Sequence, residues 1–426
     1  MTGGAPAPEG QSFFRSRWVE RPGHVTELDP TALPTGFRAA GVAAGIKPDG
    51  LDVGLLANDG PEASAAARFT RSAVVGAPVQ VSREAAADRL RAVVVSSGNA
   101  NVADGARGIE TARAAQRRVA DLLGLAAEEV GVAATGIIGR ELPRGKLLAG
   151  VERAAAELGA ETEDLCESIV TTDRVPKRAC LEVELPSGGV RLAAQAKGAG
   201  MLAPAFATLL CFVETDASIE PAVLDLLTGV TIARSLERAS VDGQLSTSDT
   251  VFCLASGASG VRVEPETPDE LAFGEALDAL LRQLAIEMVA DGEGAGRIGR
   301  VMVRGAPEDV KRVARAVAGS PLVKTALHGA DPNFGRLLQA AGQALADGRA
   351  GDGAPTALDL DIEGRRLVSG GVALEVDDDD LRELERAVSR DEVEFALTVP
   401  GDGGEAEVLF SDLSHGYVSL NAEYTT

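Results

Sequence analysis

A mixed α/β protein with large sheets covered by helices is the fold class this chain predicts. Short, almost purely apolar runs of strand length alternate with longer runs of helical period. The chain has 426 residues, 45% of them apolar, enough for more than one layer of core and for two or three domains. Its 49 glycines supply turns between the elements.

In chain order, residues 1–34 are rich in proline, glycine and charge and read as a loosely ordered arm. "RAVVVSS" from Arg91 is a buried strand, because an unbroken β-branched run suits a sheet covered on both faces. "ETARAAQRRVADLLGL" from Glu110 has helical period and good helix formers. The clearest helix begins at Thr267, "TPDELAFGEALDALLRQLAIEMVA", with Thr267 to cap it, Pro268 in its first position and Glu270 to complete a capping box. "DGEG" then breaks the pattern and puts Glu293 in a turn. About the last seventy residues read as strand-rich, from the alternation in "EVEFALTV", "EAEVLF" and "GYVSLNAEY". Among them, the acidic run of "VDDDDLRELERAV" fits a helix N-terminus, where the dipole favours anions, better than a cation site.

A net charge of −23 argues against a nucleic-acid partner, because phosphate binding needs clustered cations. The N-terminus lacks the apolar core of a signal peptide and no run reaches the length of a membrane span. A cytoplasmic protein with no membrane partner is expected. Cys166, Cys180, Cys211 and Cys253 form no CxxC pair and read as reduced core thiols. His24, His328 and His415 are too scattered for a metal site or a histidine-based triad, so no metal and no cofactor is expected. Lysine is rare, 6 against 35 arginines, so each lysine marks a place where arginine would not serve.

One stretch carries chemistry: "AKGAGMLAPAFATLLCF", Ala196 to Phe212, in which a lysine among glycines opens a nearly uncharged run around Thr208. Taken alone, Thr208 reads as a core residue bonded to nearby backbone. Threonine becomes a nucleophile when its own α-amine, of ordinary pKa about 7.7–8.0, is free to act as base. An internal threonine gains that amine only if the preceding peptide bond breaks. Its hydroxyl can attack the preceding carbonyl, form an ester by N-to-O shift, and leave water to hydrolyse it. The small Ala207 keeps that carbonyl accessible, and Gly198 and Gly200 let backbone approach closely. These features permit self-cleavage without demanding it.

"KGAGMLAPAFATLL" resembles the signature KGxGMxxPNMATML of the ornithine acetyltransferases, the bifunctional glutamate N-acetyltransferases. Further segments resemble the family in order: "GFRAAGVAAGIK", "SSGNANVADG", "ATGIIGRELP", "VTTDRVPK", "SVDGQLSTSDT", "DGEGAGR", "HGADPNFGR" and "GYVSLNAEYTT". The likeness spans roughly residues 35 to 426.

The resemblance implies an N-terminal-nucleophile-like, two-part sandwich of packed sheets covered by helices, self-cleaved between Ala207 and Thr208. Residues 35–207 would form an alpha chain and 208–426 a beta chain beginning with the nucleophile; the whole pieces, of 207 and 219 residues, would stay together as a heterodimer and assemble further. Thr208 would take an acetyl group from N2-acetylornithine and pass it to glutamate in a ping-pong cycle; some members also accept acetyl-CoA. Thr135 and Gly136 match the oxyanion hole. Thr171, Lys197, Thr208 and Glu293 match substrate contacts, and Asn421 and Thr426 match the C-terminal contacts that close the pocket. A cation and an anion in one cleft suit a zwitterionic amino acid. As isolated residues, Lys197 and Glu293 read as solvated surface charges.

Departures from the family pattern cluster near the expected site. Pro204-Ala205-Phe206 replaces the usual PNM, Gln244 and Leu245 replace an acid and a threonine, and Gly296-Arg297 stands where TK is usual. Some changes are similar to a branch of the family found in secondary metabolism. A specialised acyltransferase with another acyl donor or amine acceptor is therefore the second reading, and a self-processed amidase or aminopeptidase the third.

Overall fold

The structure, a computed structural model, describes residues 12–203, 209–346 and 356–423. Two sheets lie face to face. One has four strands in the order Phe37–Val42, Val53–Asn58, Ala92–Asn99, Val130–Ile137. The other has six, in the order Val25–Glu27, Lys177–Leu185, Gly188–Lys197, Leu210–Thr215, Thr250–Ala255, Ser64–Phe69. Three of these strands, Val53–Asn58, Leu210–Thr215 and Thr250–Ala255, are buried at every position, and most of their residues are apolar accordingly.

Strand alternation sorts their side chains into three layers. Leu56, Val93, Val95 and Ala133 of the four-stranded sheet meet Leu210, Phe212, Phe252 and Leu254 of the six-stranded sheet between the two. Val53, Leu55, Val94 and Val132 point the other way, against the helices Gly105–Leu123 and Arg144–Ala156. Cys211, Val213, Val251 and Cys253 face the helices Pro221–Arg234 and Pro268–Ala290. The result is the helix–sheet–sheet–helix sandwich implied by the family likeness. Phe212 and Phe252 stack at 6.3 Å between the sheets. Gly131 lets them close: a Cβ there would lie 2.8 Å from the Phe252 ring.

A third, seven-stranded sheet runs Ala239–Ser240, Gly404–Ser411, Ile298–Gly305, Glu392–Thr398, Asp359–Ile362, Arg365–Ser369, Val372–Ala373. The helices Pro307–Gly319 and Phe334–Ala346 pack with it around their own core. Its strand Glu392–Thr398 alternates buried and more exposed positions, as "EVEFALTV" predicts.

The helix Pro268–Ala290 is capped as expected, with the Thr267 hydroxyl accepting from the Glu270 N–H. The Glu270 carboxylate reaches back one residue further than a capping box requires, to the Glu266 N–H at 2.6 Å. Asp377 opens the acidic helix Asp378–Val388 by accepting from the Asp379 and Asp380 N–H groups. All four cysteines are free and buried.

Two expectations need correction. Residues 12–34 are not loosely ordered: Val25–Glu27 pairs antiparallel with Lys177–Leu185, and Val19, Val25, Leu28 and Leu33 are buried. Proline and glycine dominate the composition there, and these few apolar anchors are too widely spaced to register as a pattern. Of "GYVSLNAEY", the described residues Gly416–Glu423 form no strand but belong to the helix His415–Glu423, which buries no residue. The Ser414 hydroxyl starts it, accepting from the N–H groups of Gly416 and Tyr417 at 3.0 and 3.3 Å.

Gly188–Lys197 and Leu210–Thr215, on either side of the expected break, pair antiparallel from Lys197↔Leu210 to Leu192↔Thr215. The two stretches of chain therefore share one sheet.

Candidate active site

Thr135 and Gly136 lie near the end of the strand Val130–Ile137, in parallel register with Ser97 and Gly98. Gly136 adopts φ +125, and a Cβ there would sit 2.4 Å from the Gly98 carbonyl carbon. Only glycine allows this approach. Thr135 is buried and points between the sheets. Lys197 ends the opposing strand Gly188–Lys197, and its Nζ donates to Thr135 Oγ1 at 3.1 Å. A hydroxyl that accepts from an ammonium keeps its own hydrogen for another acceptor.

Burial lowers the pKa of the Lys197 amine, and Asp173 is the strongest influence opposing it. Burial alone would raise the Asp173 carboxyl, but Lys197 and Lys177 outweigh it and hold the group at about 2. Asp173 also orders backbone, accepting from the Gly198 N–H at 2.8 Å and from the Thr171 N–H at 3.2 Å. Thr171 stands just beyond the helix Glu163–Ile169.

Glu293 follows the helix Pro268–Ala290 in the expected turn, and its N–H donates to Ala199 O at 2.7 Å. Its carboxylate occupies the space a side chain on Gly200 would need, 2.5 Å from a Cβ there. Asn421 Nδ2 donates to Glu293 Oε2 at 2.8 Å. Gly294, at φ +70, brings the C-terminal helix close, since a Cβ there would be 2.2 Å from the Tyr417 nitrogen.

The site thus gathers Thr135, Gly136, Thr171, Lys197, Glu293 and Asn421 from segments far apart in the chain. Lys197 and Glu293 are buried, not solvated. Ala207, Thr208 and Thr426 lie outside the described residues, as do Pro204, Ala205 and Phe206. On the near side of that stretch, Asp242 accepts from the N–H groups of Met201 and Leu202 at 2.8 and 3.0 Å. On the far side, Asp249 Oδ1 accepts from the Leu209 N–H at 3.0 Å, while Oδ2 has no hydrogen-bond partner among the described residues. Burial pushes Asp249 up to about 7, and the Leu209 N–H is the strongest influence opposing it.

Asp173, Lys177, Asp242, Asp249 and Asp291 were not singled out from the sequence. One signal pointed their way: of the six lysines, Lys177, Lys197 and Lys324 are buried. Among the described residues, no group of three or more His, Cys, Asp or Glu is arranged to hold a metal ion. No helix among them is long and apolar enough to cross a membrane.

The family model described as the ArgJ family matches residues 38–426. The chain belongs to the ArgJ family. Similar members include the arginine biosynthesis bifunctional protein ArgJ of Chlorobaculum tepidum, 38% identical over 402 residues, 93% of this chain and 97% of that one. The protein of the same name from Nitratidesulfovibrio vulgaris is 41% identical over 400 residues, 92% of this chain and 99% of its own. A solved structure of ornithine acetyltransferase complexed with ornithine, from Mycobacterium tuberculosis, is 39% identical. That match covers 43% of this chain and 99% of the solved one, with a TM-score of 0.40. Five of the nine segments that carry the likeness contribute a residue to the site described above.

Proposed function

We propose that this ArgJ-family chain is a glutamate N-acetyltransferase that moves an acetyl group from N2-acetylornithine to glutamate through an acetyl-Thr208 intermediate. The observation that carries the reading is the Lys197–Thr135 contact at 3.1 Å. It joins a substrate-contact position to an oxyanion-hole position across two sheets and leaves the Thr135 hydroxyl free to donate.

The chain first cleaves itself between Ala207 and Thr208, and the two pieces remain associated through the sheet they share. Thr208 Oγ then attacks the acetyl carbonyl of N2-acetylornithine, with the freed α-amine of Thr208 taking the hydroxyl proton. The Thr135 hydroxyl and the Gly136 N–H stabilise the negative oxygen, an arrangement in which one lost donor costs about 2.7–4 kcal/mol. The carbon–nitrogen bond breaks, the proton passes to the departing amine, and ornithine leaves. The glutamate amine attacks the acetyl ester in turn and restores the Thr208 hydroxyl. Lys197 pairs with a substrate carboxylate, while Glu293, held by Asn421, pairs with an ammonium. The chain acts in the cytoplasm as a heterodimer of its two pieces.

Initial rates with both substrates varied test this reading. Parallel double-reciprocal lines and acetylglutamate formation are expected. Acetate released at equal rates with and without glutamate would contradict transfer and favour hydrolysis.

A further inference from the structure

Beneath the substrate-contact residues lies a set of buried ions whose charges the reaction does not consume. Lys177 is wholly buried and donates from Nζ to Asp173 Oδ1 at 2.7 Å, Asp291 Oδ2 at 2.6 Å and Val175 O at 3.3 Å. Asp173 is equally buried and also holds the N–H groups of Gly198 and Thr171. Asp291 takes the Arg174 N–H and Nε, each at 3.0 Å.

Three of these bonds reach the segments that carry residues assigned to substrate. Thr171 is tied directly to Asp173. Gly198 immediately follows Lys197 in the chain. Asp291 lies two residues before Glu293, whose N–H returns to Ala199 O. One ammonium therefore joins three segments that the sequence separates by as many as 120 residues, from Thr171 to Asp291.

Burying three formal charges is a poor way to gain stability, because desolvation offsets most of their attraction and apolar side chains of like volume often serve as well or better. What such a set provides is direction. Each bond fixes an angle as well as a distance, and a displacement of 1 Å in a substrate-positioning group can cost about 10²-fold in rate.

We infer that Asp173, Lys177 and Asp291 are positioning residues for acetyl transfer, with Lys177 as the joint that sets Lys197, Glu293 and Thr171 at the spacing the amino-acid substrate requires. The inference rests on the functional reading above. It adds a consequence for charge: Asp173 favours the protonated form of Lys197, and Lys177 disfavours it. The other charged groups acting on Lys197 are Asp249, Glu293 and Lys47.

The test uses the full-length chain with Asp173→Asn, Lys177→Met and the triple variant Asp173→Asn/Lys177→Met/Asp291→Asn, assayed for acetyl transfer from N2-acetylornithine to glutamate. Lys177→Met leaves the buried carboxylates of Asp173 and Asp291 without the ammonium they share and is expected to melt lower. The triple variant leaves none, and its Tm should return close to wild type while KM for N2-acetylornithine stays at least about 10-fold raised. The pH at which KM begins to climb should fall in Asp173→Asn and rise in Lys177→Met, opposite shifts that a merely structural role would not produce. A triple variant with wild-type Tm and wild-type kinetic constants would overturn the inference. So would a triple variant that fails to fold, since the set would then be holding the chain together. Wild-type protein that transfers no acetyl would instead overturn the functional reading itself.

Discussion

Lys197 and Glu214 point into the same layer between the two sheets, from adjacent antiparallel strands, at opposite ends of it. Lys197 lies opposite Leu210 and Glu214 opposite Ala193, with Gln195 and Phe212 between them. Both side chains are buried, yet their surroundings differ. Lys197 has a hydroxyl partner and, in Asp173, a carboxylate held at about 2. Among the described residues, the Glu214 carboxylate accepts from Gln195 Nε2 at 3.1 Å, while its Oε1 and Gln195 Oε1 have no partner. Burial raises Glu214 to about 8, which favours its neutral form in the fold. A buried charge survives where compensating ions surround it, and only one end of the layer supplies them. Under the proposed function, that end receives the charged substrate.

Phe252→Ala opens the apolar middle and carries the largest expected cost, about 3–5 kcal/mol of stability. Denaturant unfolding should show the loss while kcat of the folded fraction is unchanged; a matching fall in kcat would break the separation of middle from end. Gly136→Ala attacks the polar end. With no room for a Cβ beside Gly98, kcat should drop about 10²–10³-fold, and a near-wild-type kcat would remove Gly136 from the oxyanion hole.

Glu214→Gln sharpens the comparison through pH. The folded chain keeps a proton on Glu214 between its ordinary value near 4.5 and about 8, where the unfolded chain loses it. Stability is therefore lost as pH rises through that window. Glutamine removes this slope, so Tm should rise by a few degrees above pH 8 and change little below pH 4.5. Equal shifts at both pH values would contradict a neutral Glu214. Thr267→Ala, far from either end, should cost only about 1 kcal/mol through the lost cap, read from the same melts.

The layers were legible because their strands differ in burial. "RAVVVSS" has an unbroken apolar centre and "EVEFALTV" alternates, and each forms the kind of strand its pattern predicts. The C-terminal helix was not legible, because polar contacts to Glu293 and Gly294 fix it and it has no buried face for a pattern to record. The motif residues of the site could be named from their segments. Lys177 and Asp291 could not be paired, since nothing in a single sequence joins residues 114 positions apart. Only the scarcity of lysine hinted that Lys177 does more than solvate a surface.

The central claim is that Thr208 becomes the first residue of a new chain and carries the acetyl group. Intact mass under denaturing conditions tests it, with wild-type protein beside Thr208→Ala, before and after addition of N2-acetylornithine. Two masses that sum to the chain plus one water, an acetyl increment on the piece beginning at Thr208, and an uncut control are expected. A single uncut wild-type mass, or an acetyl increment that persists in Thr208→Ala, would contradict it.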